Sequence, residues 1–188
     1  MAGPPRVAVV GMGGLFPSAA DPERLWSDVV AGADRSRDAP PGRWLLDPEV
    51  VFDPAVAAPD RVYSRRGCFL DAVPRDPCDP DGRLDEVVHL TLFAGRQAFA
   101  TAVTHSLNRR RVGVILGAIV LPTDKASILA RNMLGRTFAE RLFGEAPPAE
   151  QVDPRNRQVV GLPAALLAAE LGLGGTHFTL DAACASSL

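Results

Sequence analysis

The sequence predicts an α/β fold with a largely parallel sheet, and three observations carry that expectation. Short apolar runs, Val7-Ala8-Val9-Val10, Val112 to Ile119 and His177-Phe178-Thr179-Leu180, alternate with stretches of helical periodicity. Glycine groups stand beside two of these runs, Gly11-Met12-Gly13-Gly14 after the first and Gly174-Gly175 before the last, where the backbone must turn sharply. With 188 residues, 47% hydrophobic and 22% charged, the chain can bury a core without metal or disulfide staples. Disorder and collagen-like repeats are excluded.

Taken in order, Arg6 to Val10 reads as an interior parallel strand, because no polar residue alternates with Val7 to Val10. Asp21-Pro22 suits an N-cap and first helical position, and Leu25, Trp26, Val29 and Val30 give a helical stripe ending at Gly32. From Ala39 to Asp85 prolines 40, 41, 48, 54, 59, 74, 77 and 80 break long elements, leaving an irregular surface excursion with a short strand around Gly67 to Leu70. Trp44, Leu45, Leu46, Val50, Val51 and Phe52 anchor it as an ordered loop rather than a linker. Val88, Leu92, Gly95, Phe99 and Ala102 mark the buried face of a helix over Glu86 to His105, followed by the strand Val112 to Ile119. Ile128, Leu134, Phe138 and Leu142 support another helix, closed by Gly144 and Pro147-Pro148, and Pro163 opens a further helix ending near Gly172. The chain stops at Leu188 in mid-element, which suggests a truncated piece.

Composition excludes several function classes. Cys68, Cys78 and Cys184 are odd in number and lack metal-ligand spacing, so neither a disulfide framework nor a metal site is expected. The longest apolar run, Val112 to Pro122, is about half of the roughly 20 residues that span a bilayer, and no leader precedes the first strand. A reduced, cytoplasmic protein without membrane contact is the expectation. Residues 1–94 carry 10 basic and 15 acidic groups and residues 95–188 carry 10 and 7, giving −5 and +3. The run Arg109-Arg110-Arg111 reads as cations at a helix carboxyl end facing water, and no nucleic-acid partner is expected.

The chemistry concentrates at the end of the last strand, in Asp181-Ala182-Ala183-Cys184-Ala185-Ser186-Ser187-Leu188. A cysteine at a sharp strand-to-helix turn is presented outward, and the N–H groups of a starting helix favour its thiolate, the nucleophilic form. The bland reading of a lone cysteine, a small buried hydrophobe, outweighs this on composition alone.

That octet resembles the active-site cysteine block of β-ketoacyl synthases, the condensing enzymes of fatty-acid and polyketide assembly. Other segments fit the same family in order: Val7 to Pro17 as its first strand and turn, Leu25-Trp26 and Gly32 as its first helix, and Pro41-Gly42-Arg43-Trp44 as its next loop. Arg66-Gly67-Cys68-Phe69-Leu70, Val112-Gly113-Val114-Ile115-Leu116-Gly117 and Leu171-Gly172-Leu173-Gly174-Gly175 follow. The resemblance makes residues 1–188 the amino-terminal portion of a ketosynthase domain. Ala182 and Ala185 depart from the threonine and serine common in modular polyketide synthases. With Arg43 to Pro48 and Leu92 to Phe99, Ala182 makes the chain look more like the polyunsaturated-fatty-acid and glycolipid type.

The resemblance implies a thiolase-like fold, here its amino-terminal half, with a mostly parallel sheet and helices on both faces. It implies an acyltransferase of the 3-oxoacyl-acyl-carrier-protein synthase type, with Cys184 as the catalytic nucleophile. Cys184 would take an acyl group from a carrier protein and extend it by decarboxylative Claisen condensation with a malonyl thioester, its N–H forming half of an oxyanion hole. No cofactor is bound directly, since phosphopantetheine belongs to the partner acyl carrier protein, and the full-length enzyme is expected to be a homodimer. The two histidines and the lysine that complete the family's site lie beyond the cysteine, and His89, His105 and His177 match no catalytic motif. The piece alone is therefore expected to be inactive in condensation and to expose an apolar face. Arg65, Arg66 and Arg75 could face an acidic carrier.

Two rivals stand beside this reading. One is a non-catalytic chain-length-factor-like subunit, against which retention of Cys184 argues. The other is a dinucleotide-binding domain, suggested by Gly11-x-Gly13 after a strand. Phe16 occupies its third glycine position, and no apolar second strand ends in an acid about 20 residues on.

Overall fold

The computed structural model describes residues 7–44, 46–55, 58–119, 123–158 and 160–186. Arg6, Leu45, the end of the apolar run at 120–122, and Ser187 and Leu188 lie outside the described residues. The main elements are α1 (Pro22–Val30), β1 (Arg37–Asp38), α2 (Pro48–Val51), β2 (Arg66–Gly67), α3 (Glu86–Thr101), β3 (Val114–Gly117), α4 (Asp124–Ala130), α5 (Arg136–Phe143), α6 (Leu162–Glu170) and β4 (His177–Leu180). They form two units, one of residues 1–14 and 73–188, the other of residues 15–72.

The larger unit carries the core. β3 and β4 pair in parallel, Val114 opposite His177 and Gly117 opposite Leu180, with the helical segment between them as crossover. Strand alternation puts Val114 and Leu116 on the face that meets α6. Leu84, Val88, Leu92, Leu162, Ala164, Leu167 and Ala168 close the core between that face, α6 and α3. On the other face Ile115, Phe178 and Leu180 remain exposed. Helices were expected on both faces; among the described residues α6 covers one.

The expectation of a strand at Val7 to Val10 is corrected. These residues form no ladder among the described residues, and Val7, Val9 and Val10 are exposed. An apolar run favours extended backbone, but a strand also needs ladder hydrogen bonds, and among the described residues β3 and β4 form theirs with each other and none with residues 7–10. The following turn leans on α3 instead. Met12 N–H donates to Thr101 Oγ1 at 3.1 Å and Gly14 N–H to Gln97 Oε1 at 2.9 Å. The backbone at Gly13 thus lies against a helix, and α1 begins only at Pro22, so the phosphate-cradling strand–turn–helix of a dinucleotide fold is not formed.

The helix expected to reach His105 ends at Thr101, and the arginine run makes a short 3₁₀ turn of its own, Arg109–Arg111, capped by Asn108. Arg109 donates to the carbonyl of Leu171 at 2.7 Å and covers the Phe99 ring, so the cation serves the carboxyl end of α6 rather than that of α3. The helix expected from Ile128 to Leu142 is α4 and α5 joined by a π turn, Arg131–Gly135, and Gly144 ends it in the left-handed region.

The excursion expected over Ala39 to Asp85 is irregular as its prolines predict, but its short strand is Arg66–Gly67 rather than Gly67 to Leu70, and of the expected apolar anchors Leu46 and Val50 are exposed. Asp21 caps α1 by accepting from Arg24 N–H at 2.7 Å, as its sequence position predicts. The helix buries Asp28, held by Arg35 at 2.9 and 2.5 Å, while Trp26, Val29 and Val30 stay exposed. β1 and β2 pair antiparallel over two residues each, and Trp44, Val51 and Phe52 are half-buried.

Candidate active site

Cys184 sits on a bend that begins where β4 ends. Asp181 Oδ1 accepts from Ala183 N–H at 3.1 Å, Ala183 takes a left-handed φ of 48°, and a single 3₁₀ turn, Ala183–Ala185, follows. For alanine that backbone region costs roughly 1 kcal/mol or more, so neighbouring bonds must hold it. Cys184 is exposed to solvent, as the strand-end position predicts. The helix expected to start at the cysteine is seen as this one turn, because Ser187 and Leu188 lie outside the described residues.

Two residues that the sequence reading passed over fasten the bend. Ser186 Oγ accepts from Ala182 N–H at 2.9 Å and donates to the Ala183 carbonyl at 2.8 Å, tying both sides of the strained residue. Gly117, at the end of β3, lies beneath the Ser186 carbonyl. A Cβ there would overlap the carbonyl oxygen and stand 2.8 Å from its carbon. The sequence signal was present in Gly117 closing an apolar strand, but its partner 69 positions on is a matter of tertiary packing.

The other candidate side chains lie apart from this bend. Cys68 is exposed in the smaller unit. Cys78 is exposed in the larger unit, where desolvation of its sulfur and then the Asp76 carboxylate push its thiol up to about 11. His105 and His177 are exposed. His89 is buried and structural: its Nδ1 accepts from Asp76 N–H at 3.0 Å and its Nε2 faces Asp79 Oδ2 at 3.2 Å. Arg65 is engaged by Glu49 at 2.7 Å and by the Phe52 ring, and Arg66 by Asp34 and Ser36, so both serve the smaller unit's own loops. Arg75 is exposed beside Gly82.

A cavity of about 30 Å³ lies against β3 and β4, lined by Leu116, Ile119, Pro163 and Thr179 among others. It has room for a water-sized group and none for an acyl chain. Among the described residues no group of three His, Cys, Asp or Glu could hold a metal ion, and no helix is long and apolar enough to cross a membrane.

Residues 5–188 match the family described as β-ketoacyl synthase, N-terminal domain. The chain belongs to this family. Polyketide synthase GfsB of Streptomyces halstedii is 30% identical over 97% of this chain, and Polyketide synthase PksL of Bacillus subtilis (strain 168) is 27% identical over 97%. The chain spans only 3% and 4% of the length of those two relatives. Among solved structures, the PfaC Keto synthase-Chain length factor superposes with a TM-score of 0.73 at 28% identity, over 96% of this chain and 21% of that one. The ketosynthase fold of these relatives is thiolase-like, so the α/β class read from the sequence stands, with the parallel β3–β4 pair as its observed sheet. The bend that exposes Cys184 lies inside the span that matches the family.

Proposed function

We propose that this chain is the acyl-accepting part of a β-ketoacyl synthase, with Cys184 as the nucleophile. The observation that supports it is an exposed cysteine on a fastened bend at the end of β4, inside the span that matches the family. In the first half-reaction Cys184 Sγ bonds to the carbonyl carbon of an acyl thioester. The donor's C–S bond breaks, and the thiol proton leaves with the pantetheine sulfur. In the second, a malonyl thioester loses carbon dioxide, its α-carbon bonds to the acyl carbonyl, and Cys184 departs as thiolate. N–H groups aimed at the carbonyl oxygen would carry its charge, that of Cys184 among them.

The donor is an acyl carrier protein or domain bearing phosphopantetheine, which supplies the thioester; nothing further needs to be bound by this chain. The whole enzyme is a homodimer in this reading, and it acts in the cytoplasm. The chain-length-factor alternative draws on the PfaC match, whose description includes such a factor. An accessible cysteine favours the condensing role, since a subunit that only shapes a tunnel needs no open thiol.

The test is incubation with an acyl-pantetheine thioester or a cerulenin-like electrophile, followed by peptide mass mapping. Cys184 should carry the adduct ahead of Cys68 and Cys78. Equal labelling of the three, or none at Cys184, overturns the assignment. With the family's two histidines and lysine not found in residues 1–188, the chain alone should accept an acyl group without elongating it. Measured elongation would refute that part.

A further inference from the structure

We infer that Ser186 and Gly117 are positioning residues for Cys184, acting as a clasp and a seat that fix where the sulfur is presented. The inference rests on the proposed role of Cys184 and adds which groups hold it. Alanine does not keep a φ of 48° on its own, so whatever sets Ala183 sets the direction in which Cys184 leaves the strand. Ser186 closes a ring around it by accepting from Ala182 N–H and donating to the Ala183 carbonyl, at 2.9 and 2.8 Å. The Ser186 carbonyl then rests on Gly117, with the Gly117–Leu180 pair of the parallel ladder directly behind. The strand register is in this way transmitted to the sulfur: β3 carries Gly117, Gly117 seats Ser186, and Ser186 holds the bend.

The chemistry separates positioning from simple exposure. A small alkylating reagent needs only an accessible thiol and approaches from many directions. An acyl thioester must meet the sulfur along one line, so its transfer depends on where the bend points. Loss of the clasp should therefore slow acyl transfer while leaving alkylation nearly unchanged.

The experiment compares the unmodified chain with Ser186→Ala and Ser186→Thr, reading acylation of Cys184 by acyl-pantetheine and alkylation of Cys184 by iodoacetamide. For Ser186→Ala we expect acyl transfer slower by about tenfold or more, with alkylation within about twofold. Ser186→Thr, which keeps the hydroxyl, should recover most of the rate. Equal acyl transfer in Ser186→Ala and the unmodified chain overturns the inference while leaving the nucleophile assignment intact. No acylation of the unmodified chain at Cys184 overturns the assignment itself. Parallel losses of acylation and alkylation point to a structural role only and also reject the inference. If Ser186→Ala does not fold, hydrogen exchange on the unmodified chain decides. The Ala182 amide should exchange much more slowly than the same amide in an unstructured peptide, and an Ala182 amide that exchanges freely refutes the clasp.

Discussion

Asn156 and Asp85, 71 residues apart in sequence, are joined by a buried hydrogen bond in which Asn156 Oδ1 accepts from Asp85 N–H at 2.9 Å. Asn156 Nδ2 donates to the carbonyls of Arg83 at 2.8 Å and Asp153 at 3.1 Å, and Asp85 in turn caps α3 by accepting from Val87 N–H at 3.2 Å. One amide therefore fixes the angle at which the chain enters α3. Asn156→Ala leaves the buried Asp85 N–H without its partner and removes the bond to the Arg83 carbonyl, while the Asp153 carbonyl keeps the backbone N–H of residue 156, a loss of about 2–3 kcal/mol. Urea unfolding followed by circular dichroism should show that decrease; a change below about 0.5 kcal/mol would mean that water replaces the amide.

The acid side of the stability profile should be set by Asp76. Desolvation opposes its charge, but the Arg96 guanidinium, then Cys78, hold its carboxyl down to about 2 from the ordinary 3.8. Arg96 also grips Glu170 on α6, so the pair ties the loop before α3 to two helices. Because the folded state holds the proton less tightly than the unfolded chain, the stabilisation is complete above about pH 4 and is lost as pH falls toward 2. Asp153, held down by Arg155, adds a slope in the same window. Asp76→Asn should lower stability at pH 7 and flatten, without abolishing, the decline between pH 4 and 2, read from urea midpoints. An unchanged slope would show that the ion pair does not form in solution.

What the sequence could disclose follows from where each determinant lies. Local signals were legible: Asp21-Pro22 gave the start of α1, the spacing of Val88 and Leu92 gave the buried face of α3, and Gly144 gave the stop of α5. Val7 to Val10 failed because apolar content sets extended backbone while pairing is a long-range contact that a local pattern does not encode. Cys184 could be singled out because the block from 181 to 188 is contiguous. Ser186 and Gly117 could not be given roles, because the contact that joins them exists only once β3 and β4 are in register. Likewise Asp76, Asp79 and Asp85 drew no notice within the proline-rich excursion, and only the fold shows them buried against Arg96, His89 and Asn156.

The α3–α6 contact should be intolerant of volume at Gly95. A Cβ there would stand 2.7 Å from Leu167 Cδ1 and 3.1 Å from Cγ, and Leu167 is buried. Gly95→Val should therefore destabilise the chain by about 1–3 kcal/mol through overpacking. Leu167→Ala alone should cost about 2–5 kcal/mol through the cavity it leaves. The two share one space, so the double variant should lose at least about 1 kcal/mol less than the sum of the single losses. Strict additivity would show that α3 and α6 separate rather than repack.

The uncovered sheet face should govern how the isolated chain behaves in solution. Ile115 is 63% exposed and Leu180 50%, with Phe178 beside them, on strands whose opposite face is already closed by α6. Contiguous exposed apolar surface of this kind marks an association site, and a central parallel pair buried on both sides is the stable arrangement. Ile115→Thr with Leu180→Thr places a β-branched, strand-compatible side chain at both positions while removing most of the apolar contact area. Size-exclusion chromatography should then show the unmodified chain largely self-associated at micromolar concentration and the double variant shifted toward monomer, with circular dichroism unchanged. An elution profile left unchanged by the double substitution would mean that this face does not carry the association.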